Sequence, residues 1–142
     1  MKPVLELLKK RDSSLFHCAP DLMVFDGLKL LAGHGIGAMV VLEQGKLVGV
    51  FSERDYTRKV ALEGKNSRET KIADIMTRNV ITVPSTARTN ECMALMSQHK
   101  IRHLPVMDGG RVLALLSIRD IMDDIIADHE QTISHLQTYI SG

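Results

Sequence analysis

The amino-acid sequence predicts an α+β fold, a tandem pair of β-α-β-β-α repeats packed through their sheets with pseudo-twofold symmetry, and three observations lead there. Residues 15–60 lie over residues 80–125 without a gap, with the identities Leu30/Leu95, His34/His99, Ile36/Ile101, Val41/Val106, Gly45/Gly110, Ser52/Ser117, Arg54/Arg119 and Asp55/Asp120. Between them the apolar positions keep their class, as in Leu31/Met96, Met39/Leu104, Val50/Leu115 and Phe51/Leu116, which two copies of one fold require. Within each copy, apolar runs of strand length alternate with segments whose apolar residues recur at helical spacing. Finally, a unit of about 60 residues buries too little apolar surface to stand alone, whereas two copies can share one interior.

The elements follow in order. Val4, Leu7 and Leu8 mark a helical segment in residues 1–13. The first repeat, 14–62, opens on a short strand, Ser14 to Cys18, and a helix carrying Phe25, Leu28 and Leu31. A hairpin comes next, with strands Ala38 to Leu42 and Leu47 to Phe51 flanking Glu43, Gln44, Gly45 and Lys46, and a second helix starts at Glu53. Residues 63–71, EGKNSRETK, read as a polar linker. The second repeat, 72–128, repeats the plan: a helical segment at Ile72, Ile75 and Met76, a strand from Val80 to Val83, and a helix with Cys92, Leu95 and Met96. Its hairpin, Leu104 to Met107 and Val112 to Leu116, turns at Asp108, Gly109, Gly110 and Arg111, and a helix begins at Ile118. In the tail, 129–142, Ile133, Leu136 and Ile140 recur at helical spacing, so a final amphipathic helix is expected there, covering the body or meeting a second subunit.

Composition narrows the function classes. The 142 residues, 44% hydrophobic and 25% charged, carry a net charge of +1, so no global field draws nucleic acid or an anionic membrane to the surface. The short basic run Lys9, Lys10, Arg11 reads as a solvated helix face. Cys18 and Cys92 stand in apolar surroundings without CxxC spacing or a secretory leader, which suits buried thiols in a cytoplasmic protein. No apolar window is long enough to span a bilayer.

The repeated strand exits, VFSERDY at 50–56 and LLSIRDI at 115–121, carry the chemistry. Ser52 with Asp55, and Ser117 with Asp120, fit a capping box in which the Ser satisfies a free amide and the acid reaches back. Capping explains neither Arg54 and Arg119 nor Gly49, a glycine inside a strand that marks close approach of another backbone or a ligand. A ligand reading uses the same geometry. A carboxylate at a strand end can accept from the paired hydroxyls of a ribose, and the arginines can face phosphates.

The pattern of Gly, two apolar residues, Ser, two residues and Asp, within a duplicated strand-helix-hairpin-helix unit, resembles the CBS domain family, named after cystathionine beta-synthase. The resemblance runs from about Leu7 to about His129. It implies a tandem pair of CBS repeats, a Bateman module that commonly dimerises as a disc and binds adenosine nucleotides between its copies. Carried over by motif, it implicates Ser52 and Asp55 in the first copy and Ser117 and Asp120 in the second, with Arg54 and Arg119 beside them. The segment IRHLPV, Ile101 to Val106, resembles the stretch whose basic side chains face phosphates, which marks Ile101, Arg102, His103 and Pro105. ITVP, with Ile81, Thr82 and Pro84, resembles the strand start that borders base and ribose. A satisfied strand-end histidine and an edge-strand proline are the plain alternatives for His103 and Pro105.

The copies are unequal. Where the second has Arg102, His103 and Pro105, the first has Gly37, Ala38 and Val40, and Ala114 replaces the motif glycine Gly49. Two nonequivalent sites are therefore expected, with phosphate held better near Arg102 and His103; at the first site Arg119 across the cleft could supply the charge.

Other signals are set aside. GHGIG, 33–37, follows a helix and leads into a strand, the reverse of a dinucleotide turn, so it reads as a helix C-cap and loop. HEQTISH, 129–135, lacks the spacing of a zinc helix, and no metal site is expected. No residue set supplies a nucleophile with an oriented base. The expected function is a non-catalytic regulatory module with no required cofactor. It would bind AMP, ADP, ATP or NAD(H), with S-adenosylmethionine ranked behind them, and signal to a regulated protein as a homodimer. A nucleotide hydrolase using His103 or the His34/His99 pair, and a purely structural dimer, are the competing readings.

Overall fold

The computed structural model describes residues 2–9 and 14–141. Lys10 and Arg11 of the basic run, and the rest of the segment to residue 13, lie outside the described residues. Helix α1 (Val4–Lys9) precedes strand β1 (His17–Cys18), helix α2 (Val24–His34), the hairpin β2 (Ala38–Glu43) and β3 (Lys46–Ser52), and helix α3 (Glu53–Tyr56), which continues as a π-helical turn at Thr57–Ala61. After a 3₁₀ turn at Ile72–Asp74 come β4 (Val83–Pro84), α4 (Thr89–His99), the hairpin β5 (His103–Asp108) and β6 (Arg111–Ser117), and α5 (Ile118–Ser141).

Two three-stranded sheets result, ordered β1-β2-β3 and β4-β5-β6, and they meet through β3 and β6. In each, a short parallel strand joins an antiparallel hairpin. The duplication extends to irregularities of backbone. Each hairpin shifts register once, between Val41 and Leu42 and between Val106 and Met107, and each turns on paired positive-φ residues, Gln44 and Gly45 or Gly109 and Gly110. Pro105 lies on the middle strand of its sheet, opposite Leu115; β4 pairs only with Val106 and Met107, beyond the proline. It is therefore not an edge-strand proline.

The opening strands are shorter than the sequence suggests. Only His17 and Cys18 reach Val40 and Val41, and only Val83 and Pro84 reach Val106 and Met107. The tail, in contrast, is not a separate element. No Gly or Pro interrupts residues 118–141, so α5 runs on as one helix of 24 residues.

Two cores form, and each is completed by a segment that precedes the other repeat. Val4, Leu7 and Leu8 of α1 pack with Cys92, Met96, Leu104 and Leu116 of the second repeat. Ile72, Ile75 and Met76 pack with Val24, Leu31, Met39 and Phe51 of the first. Backbone bonds follow the exchange: Val4 N–H donates to the Ala87 carbonyl, and Ile72 N–H to that of Leu22. A body of this size is thereby tied crosswise.

Gly49 serves that exchange. A Cβ there would stand 2.6 Å from Met76 Sδ and 3.0 Å from the Thr77 carbonyl oxygen, and Thr77 is bound to Val50 by two backbone bonds. The backbone that approaches this glycine is the chain's own. Gly49→Ala is expected to cost about 1–3 kcal/mol, because Thr77 is held by β3 and cannot withdraw freely. Urea denaturation checks this, and an unchanged midpoint would contradict the packing described.

Candidate functional site

Both strand exits fold as capping boxes. Ser52 Oγ accepts from Asp55 N–H at 3.1 Å, and Asp55 Oδ2 accepts from Ser52 N–H at 3.0 Å. Ser117 Oγ accepts from Asp120 N–H at 3.1 Å, and Asp120 Oδ2 from Ser117 N–H at 2.9 Å. The following amide is also spoken for: Glu53 N–H donates to the Gly37 carbonyl and Ile118 N–H to that of Arg102. Capping thus accounts for one carboxylate oxygen of each acid. The two copies differ in what surrounds these boxes.

At the second copy they border a cleft of about 440 Å³. The second copy lines it with Arg102, His103, Ser117, Arg119 and Asp120, together with Leu115 and Ile118. The opposite wall comes from the first copy, Ser14 to Phe16 and Gly35 to Ala38. The volume falls in the range of small-molecule sites, about 300–1,000 Å³. Apolar Leu15, Phe16 and Ile36 face a polar side that combines one acid with two guanidinium groups. A smaller hollow of about 160 Å³ adjoins it behind Phe16, whose ring stacks on His34 with centroids 4.0 Å apart.

At the first copy the motif acid is turned inward. Asp55 is 7% exposed and lines neither hollow. Arg54 is exposed and donates to the Lys100 carbonyl at 3.0 Å. Ile81 and Ile101 are half-buried against the second core, Thr82 and Pro84 are exposed, and Pro105 is buried in β5. None of these five lines the large cleft. Of the thirteen residues singled out from the sequence, Arg102, His103, Ser117, Arg119 and Asp120 come together there.

The first-copy wall had no place among the residues read from the sequence. Offset by 65 positions, Ile81 corresponds to Phe16, and Arg102 and His103 to Gly37 and Ala38. Because the halves face each other across a pseudo-twofold axis, the strand start that borders the second motif is the first copy's, not ITVP. GHGIG has the C-cap expected, with Gly35 left-handed at φ 64°, yet the loop it opens also forms the cleft wall.

Burial lowers the His103 pKa below its ordinary 6.5; the neighbouring Asp120 carboxylate opposes the shift and Arg102 adds to it. Unfolding releases this histidine to its ordinary value, so the unfolded chain takes up the proton first as pH falls. Stability is therefore expected to fall as pH drops through 6.5, and to stop falling below the folded-state value. His103→Gln should flatten that dependence in melts recorded from pH 7.5 to 5; an unchanged slope would contradict the assignment. Cys18 and Cys92 are free, buried, and both raised by burial to about 11. Among the described residues, no group of three or more His, Cys, Asp or Glu converges as a metal site, and no helix is long and apolar enough to cross a membrane.

Comparison with known proteins agrees with this architecture. The CBS domain family matches residues 6–62 and again 72–127. A protein with CBS domains from Burkholderia ambifaria MC40-6 superposes with a TM-score of 0.85 at 41% identity, covering 88% of this chain and 94% of its own. The mitochondrial CBS domain-containing protein CBSX3 of Arabidopsis thaliana is 35% identical over 139 residues, 94% of this chain and 68% of the relative; several other curated relatives are spanned by less than half. The CBS domain pair of protein MJ0100, solved in complex with 5'-methylthioadenosine and S-adenosyl-L-methionine, superposes with a TM-score of 0.79 at 25% identity, covering 89% of this chain and 98% of its own. The chain belongs to the CBS domain family and is a tandem pair of its repeats.

Proposed function

We propose that the chain is a regulatory module that binds an adenosine nucleotide, AMP, ADP, ATP or NAD(H), in the cleft at Asp120. The observation that carries this reading is one cleft holding an acid, two arginines and an apolar wall, at the junction of the two repeats. Asp120 and Ser117 take the ribose hydroxyls, Arg102, His103 and Arg119 the phosphates, and Phe16 with Ile36 the base. The adenosine ligands of the MJ0100 pair support the nucleoside half of the assignment. The arginines favour a phosphorylated ligand over the cationic sulfonium of S-adenosylmethionine.

In this reading the module acts without catalysis of its own, its carboxylate and guanidinium groups serving to hold the ligand. Binding joins walls from both copies, so the ligand favours the arrangement in which they are closest, and a regulated partner protein reads that preference. We place it in the cytoplasm, a compartment that suits two free buried thiols. We also propose a homodimer, supported by α5, where Met122, Ile126, Ile133, Leu136 and Ile140 recur at steps of three, four or seven and are 50–81% exposed.

Purified protein, denatured and analysed by mass for released nucleotide, and native protein titrated with AMP in a calorimeter, test the reading. Incubation with ATP and NAD should return both unchanged. Turnover of either, or absence of binding to any of the four nucleotides, would overturn it.

A further inference from the structure

We infer that the first copy's motif is a closed clasp in which Lys59 and Thr77 occupy Asp55, so that each chain takes one nucleotide, at Asp120. The one-ligand part rests on the proposed function; the clasp stands on its own geometry.

All the acceptor capacity of the Asp55 carboxylate is used inside the protein. Oδ2 accepts from Ser52 N–H at 3.0 Å and Ser52 Oγ at 2.9 Å, and Oδ1 from Lys59 Nζ at 3.1 Å and Thr77 Oγ1 at 3.2 Å. Four donors match the roughly four acceptor sites of a carboxylate, and leave none for a ribose diol. Lys59 also donates to the Ile75 carbonyl at 2.9 Å, so its ammonium bridges the first repeat's helix to the segment entering the second.

One position in the sequence contributes directly to the difference. The counterpart of Lys59, 65 residues on, is Asp124, which pairs with Lys2 at 2.8 Å. A cation in one copy and an acid in the other cannot serve their motif carboxylates alike. The mouth differs too. Arg119 and Gly35 both line the open cleft, while their counterparts Arg54 and Lys100 are hydrogen-bonded to each other across the equivalent place. A nucleotide entering there would have to break that bond and displace Lys59 and Thr77 from a buried acid, which is costly for a carboxylate stripped of its partners.

Calorimetry of the full chain with AMP should give one site per chain. Asp55→Asn and Thr77→Val should each leave AMP affinity within about twofold, Thr77→Val keeping the Asp55–Lys59 pair should the first variant fold poorly. Two sites per chain, or a tenfold loss of affinity in either variant, would overturn the one-ligand inference. A double-mutant cycle of Asp55→Asn and Lys59→Met in urea should show a coupling of threefold or more in the unfolding constant. Strict additivity would overturn the clasp whether or not AMP binds, whereas absence of AMP binding to the native chain would count against the proposed function alone.

Discussion

Replacing Asp120 with asparagine is expected to weaken AMP binding by about 10- to 100-fold. Hydrogen bonds to a charged group contribute about 1.5–3 kcal/mol, and each 1.4 kcal/mol is tenfold. The asparagine oxygen can still accept from Ser117 N–H, so the start of α5 should survive and the loss can be read as a loss at the ligand. Asp55→Asn supplies the contrast within one molecule. It changes the same residue type in the same motif, but its carboxylate faces Lys59 and Thr77. Calorimetry with both variants decides the point: equal losses of affinity would contradict the inequality of the two copies.

The second large effect concerns stability. Leu7 and Leu8 of α1 are buried in the core of the second repeat, and truncating both to alanine should cost about 4 kcal/mol or more. That is a large part of the roughly 5–15 kcal/mol available to a domain. The loss should also be misplaced relative to sequence. Amide exchange is expected to quicken first in β5 and β6, far along the chain, while β2 and β3 beside α1 in sequence keep their protection longer. Leu5→Ala, at a position 43% exposed, should change the unfolding free energy by less than about 0.5 kcal/mol. Earlier exchange in β2 and β3 would contradict the crosswise packing.

Much of this architecture was legible because the chain states it twice. Gapless pairing of Leu30 with Leu95 and Asp55 with Asp120 announced two copies, and the glycines at 45, 109 and 110 marked the hairpin turns. What the repeat could not announce was which half each segment serves. The triplets Val4, Leu7, Leu8 and Ile72, Ile75, Met76 read as helical scraps, but an apolar stripe does not say whose core it fills. The site shows the same boundary. Ser117, Asp120, Arg102 and His103 were visible as motif residues, while Ser14 to Phe16 and Gly35 to Ala38 carry no chemistry that points to a ligand. They enter the cleft only because the pseudo-twofold axis sets them opposite Asp120. Lys59, an ordinary helix lysine in the sequence, acquires its part from a carboxylate one turn back and a carbonyl 16 residues ahead.

The place of binding can be read directly. In AMP titrations followed by amide resonances, the largest shifts are expected at residues 35–38, 102–103 and 117–120, with only smaller ones relayed to Ser52 and Glu53 through the Glu53–Gly37 bond and the Asp55 amide unmoved. Shifts confined to residues 52–55 and 79–81, with the Asp120 segment silent, would contradict it.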